Sequence, residues 1–123
     1  MDRAGITTGA CGEELAAAYL AKKGCLILEK GYRYGHKEVD IIAEDHGTLV
    51  FVEVKSRRRG GAIPPYMSVN RRKQTHILKV AGAYLASHSR SREMDIRFDV
   101  ISIVMPPEND ARIEHIVDAF KPW

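Results

Sequence analysis

A chain of 123 residues amounts to one ordinary domain, long enough to bury roughly two-thirds of the surface its unfolded form exposes. With 45% hydrophobic and 28% charged residues it has the composition of a folded globular protein, which excludes disordered and fibrous classes. Nineteen Lys and Arg against sixteen Asp and Glu leave a net charge of +3, too small to argue by itself for a polyanionic partner.

No apolar stretch approaches the ~18 residues that cross a bilayer, and the opening Met1-Asp2-Arg3 runs into small and polar residues rather than a signal-peptide core. A cytoplasmic protein without a membrane partner is expected. In GACGEELAAAYLAKKG, the three- and four-residue spacing of Cys11, Leu15, Ala18, Tyr19 and Lys22 predicts a helix, capped by Thr7 or Thr8 and ended by Gly24. Cys25 to Tyr34 opens with a short apolar run that suits a first strand. EVDIIAE, the turn DHG and TLVFVEVKSR then form a β-branched hairpin, strands two and three. Paired Gly and paired Pro in RRRGGAIPPYM predict a mobile basic loop at about residues 57–68. Ser68 or Asn70 caps a second helix with the stripe Ile77, Val80, Ala81, Tyr84 and Leu85, closed by the polar run Ser87 to Arg92. RFDVISIV is strand four, and after a Pro106-Pro107 turn RIEHIVDAF reads as a short strand with an irregular tail. The order αβββαβ plus a terminal element points to one domain over residues 1–123, with no internal repeat.

Cys11 and Cys25 suit neither zinc nor a disulfide framework and read as reduced packing residues. Charge is strongly polarised along the chain. Lys55, Arg57, Arg58, Arg59, Arg71, Arg72 and Lys73 lie in a stretch without an acid, whereas Glu38 to Asp45 holds four acids and no base.

In strand three the apolar run is interrupted by Glu53 and Lys55, which project from one face about 7 Å apart. Strand two sets Glu38 and Asp40 on one face and Val39 and Ile41 on the other, and the hairpin lays Asp40 near Glu53. Two carboxylates held together repel unless one is protonated or a cation lies between them, and a hard divalent cation, Mg²⁺ or Mn²⁺, is the usual solution with oxygen ligands. The alternative is a solvated hairpin face with cross-strand ion pairs. LVFVEV argues against it, because a strand apolar on both faces is covered on both sides, where unpaired charges are rare. Glu13, on the flank of Ala16 and Leu20, is the helix-one acid best placed to join such a site, or else it complements the helix dipole. The five histidines share no ligand spacing, and His36 reads as a turn residue.

The string EVDIIAEDHGTLVFVEVKSR resembles the D…ExK core of the PD-(D/E)XK nuclease superfamily, and nearly the whole chain, Gly9 to Asp118, resembles the bacterial YraN family, related to Holliday-junction resolvases. The matching blocks are Glu13, Glu38-Val39-Asp40, Phe51 through Arg57, Ser68-Val69 with Lys73-Gln74, and Arg97 through Val100. Lys37 stands where the family usually has Gly, and the proline frequent before the superfamily's Asp is absent.

The resemblance implies a restriction-endonuclease-like α/β core, a central mixed sheet flanked by helices, and a metal-dependent endonuclease acting on DNA, on branched or single-stranded forms among others. It makes Asp40 and Glu53 metal ligands, with the Val54 carbonyl and Glu13 as further ones. Lys55 becomes the residue that orients water or stabilises charge on phosphate, and Gln74 a hydrogen-bonding partner of the site. Arg57, Arg58, Arg59, Arg71, Arg72 and Lys73 become contacts to the nucleic-acid backbone. Arg97 and Asp99 read as a structural pair. Related resolvases work as dimers, which leaves a homodimer open, and no sequence feature locates its face. The competing reading is a nucleic-acid-binding module that keeps the fold with little or no turnover.

Overall fold

The computed structural model describes residues 8–58, 69–105 and 112–121. Strands β1 (Leu26–Tyr34), β2 (Lys37–Asp45) and β3 (Thr48–Arg58) form an antiparallel meander. Its two-residue turns, at 35–36 and 46–47, place Gly35, His46 and Gly47 at φ of 65°, 50° and 93°, the left-handed values that tight hairpins require. Helix α2 (Arg71–Ser87) carries the chain across to β4 (Asp95–Met105), which pairs parallel to β3, and β5 (Arg112–Ile116) returns antiparallel on β4. The mixed five-stranded sheet has the order β1-β2-β3-β4-β5, and with α1 (Thr8–Lys22) and α2 it makes one α/β unit.

β3 lies at the centre, which explains why it is apolar on both faces. Leu49 and Phe51 pack with Ile77, Val80, Ala81 and Tyr84 of α2, whereas Val50 and Val52 pack with Ala16, Ala17 and Leu20 of α1. Asn70 caps α2, its side chain accepting the Lys73 N–H at 2.9 Å, and the polar run after Ser87 winds into a short 3-10 turn, Ser89–Glu93.

Two expectations about faces are corrected. The buried stripe of α1 runs through Gly12, Ala16, Ala17 and Leu20, while Ala18 and Lys22 are exposed; three consecutive alanines carry no periodic signal to set the phase. In β2, Val39 and Ile41 do not share a face: Val39 joins Ile42 under α2, and Ile41 joins Ala43 under α1. The alternation breaks at Asp40. Gly31, which the register sets opposite it between the pairs Lys30/Ile41 and Tyr32/Val39, has φ of 64°, open to glycine at no steric cost. The pleat therefore changes face at Asp40.

The basic loop from Arg59 to Ser68 and the Pro106-Pro107 turn lie outside the described residues, as do the Arg57 and Arg58 side chains. Among the described residues no helix is long and apolar enough to cross a membrane.

Candidate active site

Asp40 is held by the backbone of the neighbouring strand. The β2/β3 ladder runs from Asp45/Thr48 to Ile41/Val52. Just past its end the Val54 N–H donates to Asp40 Oδ2 at 2.7 Å, so Val54 takes part through its amide, and a short bond from an amide to a carboxylate fixes the rotamer.

On the α1 side, one carboxylate oxygen each from Glu13, Glu38 and Asp40 lie within 4.8 Å of one another. Gly12 makes that approach possible, because a Cβ there would run into the Ser56 hydroxyl of β3. The pKa of Glu13 is pushed up to about 7 by burial, by the charge of Asp40 and a hydrogen bond with it, and by Glu38, with Lys30 opposing. Glu38 also pairs with Arg33 at 3.5 Å. Glu38 was not among the expected site residues. Its signal was its place two residues before Asp40 on a strand, although the break in the pleat keeps simple alternation from identifying it.

On the α2 side stands Glu53, only 4% exposed. Its Oε2 lies 3.3 Å from Lys55 Nζ and 3.6 Å from Lys73 Nζ, and its buried Oε1 has no hydrogen-bond partner among the described residues. Burial and the Asp40 charge raise its pKa to about 7 against the pull of Lys73 and Lys55. Asp40 thus couples electrostatically to both flanking glutamates. Lys55 is about 7 Å from Glu53 along the strand, but its flexible stem brings the ammonium back to the carboxylate.

Lys73, expected among the nucleic-acid contacts, has its Nζ 3.6 Å from Glu53 Oε2. Gln74 Nε2 donates to the Val69 carbonyl at 3.1 Å, pinning the segment before α2. Arg71 and Arg72 are exposed on the first turn of α2. Around His76 the cations Lys37, Lys73, Arg72 and Lys79 converge, and desolvation together with their charges lowers its pKa.

A second polar network lies toward the opposite end of the α1 face. Asp99, with no exposed surface, accepts from Arg97 Nε at 2.9 Å, Arg97 Nη2 at 3.0 Å and the Asp118 N–H at 2.9 Å. His115 Nε2 lies 2.8 Å from Asp99 Oδ2, and His115 Nδ1 lies 3.2 Å from the Tyr19 hydroxyl. Arg97 also reaches Asp45 at 3.0 Å. Burial acts to raise the Asp99 pKa, yet His115, Arg97 and the Asp118 amide together hold it below the ordinary value. The Arg97–Asp99 pair is structural, as its spacing suggested. His115 carried no sequence signal, since its partner is sixteen residues away.

A profile of the Uncharacterised protein family UPF0102 matches residues 12–103. The chain is similar to a UPF0102 protein of Chlorobium chlorochromatii, 46% identical over 117 residues that cover 91% of this chain and 89% of the relative. A UPF0102 protein of Syntrophus aciditrophicus is 46% identical over 116 residues, covering 94% and 90%. One of Chlorobium limicola is 44% identical over 125 residues, covering 98% and 96%.

Proposed function

The chain belongs to the Uncharacterised protein family UPF0102, the YraN family whose sequence blocks it resembles, and from that membership together with the carboxylate geometry we propose that it is a metal-dependent endonuclease hydrolysing DNA phosphodiester bonds. The observation that carries this reading is Asp40, a carboxylate fixed by a backbone amide between the acidic cluster and the lysine-flanked Glu53.

The residues present fit a hard divalent cation. Glu13, Glu38 and Asp40 offer three oxygens within 4.8 Å of one another, and the buried Glu53 Oε1 is an acceptor without a partner among the described residues, a costly arrangement unless something binds there. A bound Mg²⁺ or Mn²⁺ supplies concentrated positive charge that acidifies water and offsets charge building on a phosphoryl group. The chain's own residues supply the rest. The Val54 amide holds Asp40 in place. Lys55, anchored by Glu53, presents a cation to the equatorial phosphate oxygens. Lys73, 3.6 Å from the same Glu53 Oε2 that Lys55 reaches, keeps that carboxylate from repelling the substrate. Arg71 and Arg72 on α2, with Arg57 and Arg58 at the end of β3 and Arg59 next to them in sequence, supply phosphate contacts.

The test is a cleavage assay on duplex, single-stranded, tailed and four-way-junction DNA with Mg²⁺ or Mn²⁺, using Glu53→Ala and Lys55→Met as controls. Lys55→Met keeps most of the side-chain volume and removes the charge, so cleavage should fall by roughly a hundredfold with DNA binding little changed. Metal-loaded wild type that binds these substrates but cleaves none above the Lys55→Met level overturns the enzyme reading in favour of a binding module.

A further inference from the structure

The β1–β2 hairpin tip and α2 enclose a groove that the carboxylate site does not use. Its volume is about 680 Å³ and its lining is Tyr34, Lys37, Lys79, Gly82, Ala83 and Ala86, within the roughly 300–1,000 Å³ range of pockets that hold small organic groups. The local sequence explains each wall. The two-residue turn at 35–36 pairs Tyr34 directly with Lys37, so both side chains leave the same face of the hairpin. That face is the α2 side, since Tyr32, two residues before Tyr34, packs edge-on against Tyr84 of α2 with ring centroids 5.1 Å apart. Tyr32 is covered, but Tyr34 at the tip is 54% exposed. On α2, Lys79, Gly82, Ala83 and Ala86 fall at the i, i+3, i+4, i+7 spacing of one helix face. A Cβ at Gly82 would meet nothing within 4 Å, so the floor is open and shallow.

The same helix face continues toward the carboxylates through His76 and Arg72, with Lys73 beside Glu53. Lys37, Arg72, Lys73 and Lys79 all act on His76, so the cations form a continuous track from the site to the groove. From Lys73 to Ala83 is about 15 Å along the helix axis, the reach of a few nucleotides.

We propose that this groove holds an unpaired nucleotide of the DNA strand that runs into the site, its base stacked on Tyr34 over the Gly82–Ala83–Ala86 floor and its flanking phosphates on Lys37 and Lys79. An aromatic ring between cations is how single strands are held without reading sequence. A paired base does not qualify, because both its faces are already stacked within the duplex. This inference rests on the nuclease reading for its orientation and assigns that site a substrate class: DNA with a single-stranded segment beside the scissile bond.

The experiment measures binding alone, by fluorescence anisotropy in EDTA with labelled oligo(dT) of twelve nucleotides, a blunt duplex, and the same duplex with a single-stranded tail. Wild type should prefer the tailed duplex to the blunt one. Tyr34→Ala should lose about tenfold in affinity for oligo(dT) and the tail, the scale of one stacked base, and leave the blunt duplex unchanged, whereas Tyr34→Phe should bind as wild type. Lys37→Ala with Lys79→Ala should lower the salt slope on oligo(dT) by about 1.4 units. The proposal is overturned if wild type shows no preference for the tail, if Tyr34→Ala binds oligo(dT) as wild type does, or if it weakens all three probes equally. Since no cleavage is read, this failure and that of the nuclease reading are separable.

Discussion

Glu53 and Glu13 are carboxylates whose pKa values lie at about 7 in the folded protein instead of at the ordinary 4.5, Glu53 because of burial and Asp40, Glu13 because of burial, Asp40 and Glu38. Their protonated forms suit the fold better than their charged forms. A raised folded-state pKa contributes stability that is full below the unfolded value and is lost as pH rises through the folded one. Without divalent cations the melting temperature should therefore decline from about pH 5 to about pH 7.5. Glu53→Gln, which keeps the shape and removes the titration, should flatten part of that decline. Asp99 has the opposite sign: its pKa is lowered below 3.8, so its contribution is lost only as pH falls into the acid range, outside this window. Thermal melts in EDTA at half-unit pH steps decide it, and a slope identical in wild type and Glu53→Gln would refute the assignment. Adding Mn²⁺ should weaken the dependence, because the ion favours the deprotonated carboxylates.

At the scale of elements, Asp99 joins four parts of the chain. Through Arg97 it reaches the β2–β3 turn at Asp45, through His115 it holds β5 and the Tyr19 side of α1, and through the Asp118 amide it holds the tail. Asp99→Asn leaves Arg97 facing a neutral group and His115 without its charged partner, so denaturant unfolding should show a loss of about 3 kcal/mol. A loss under about 1 kcal/mol would mean that the network does not carry this end of the sheet. Much of the element map was legible beforehand. The strands announced themselves through β-branched runs and glycine turns, α2 through its stripe and Asn70, and β3 through an apolar character on both faces that only a central strand needs. Asp40 and Glu53 were legible as near neighbours because hairpin pairing is local. The phase of α1 was lost in Ala16-Ala17-Ala18, and the break in β2 depends on the φ of Gly31 in a different strand. The Asp99 network joins residues far apart in sequence, which no local pattern encodes.

For the whole molecule, Glu13, Glu38 and Asp40 converge where β2 and the start of α1 meet, so a cation bound there ties those two elements together. At a hundred times its dissociation constant, a ligand of the folded state alone stabilises it by about 2.7 kcal/mol. Differential scanning fluorimetry with Mn²⁺ up to the millimolar range should thus show a rise of about 10 °C, absent in Asp40→Asn with Glu53→Gln; no rise in wild type would count against the cation site. Strand order also follows chain order, from β1 to β5. During synthesis each strand therefore emerges to find its neighbour already made, and the sheet can grow at one edge as the ribosome moves. Glu13, Glu38, Asp40 and Glu53 are all made before Lys73. A nascent chain paused short of α2 carries its clustered acids with one of Glu53's two lysines missing and the α2 face of β3 bare. Arrival of that helix covers the strand and adds the second lysine in one step.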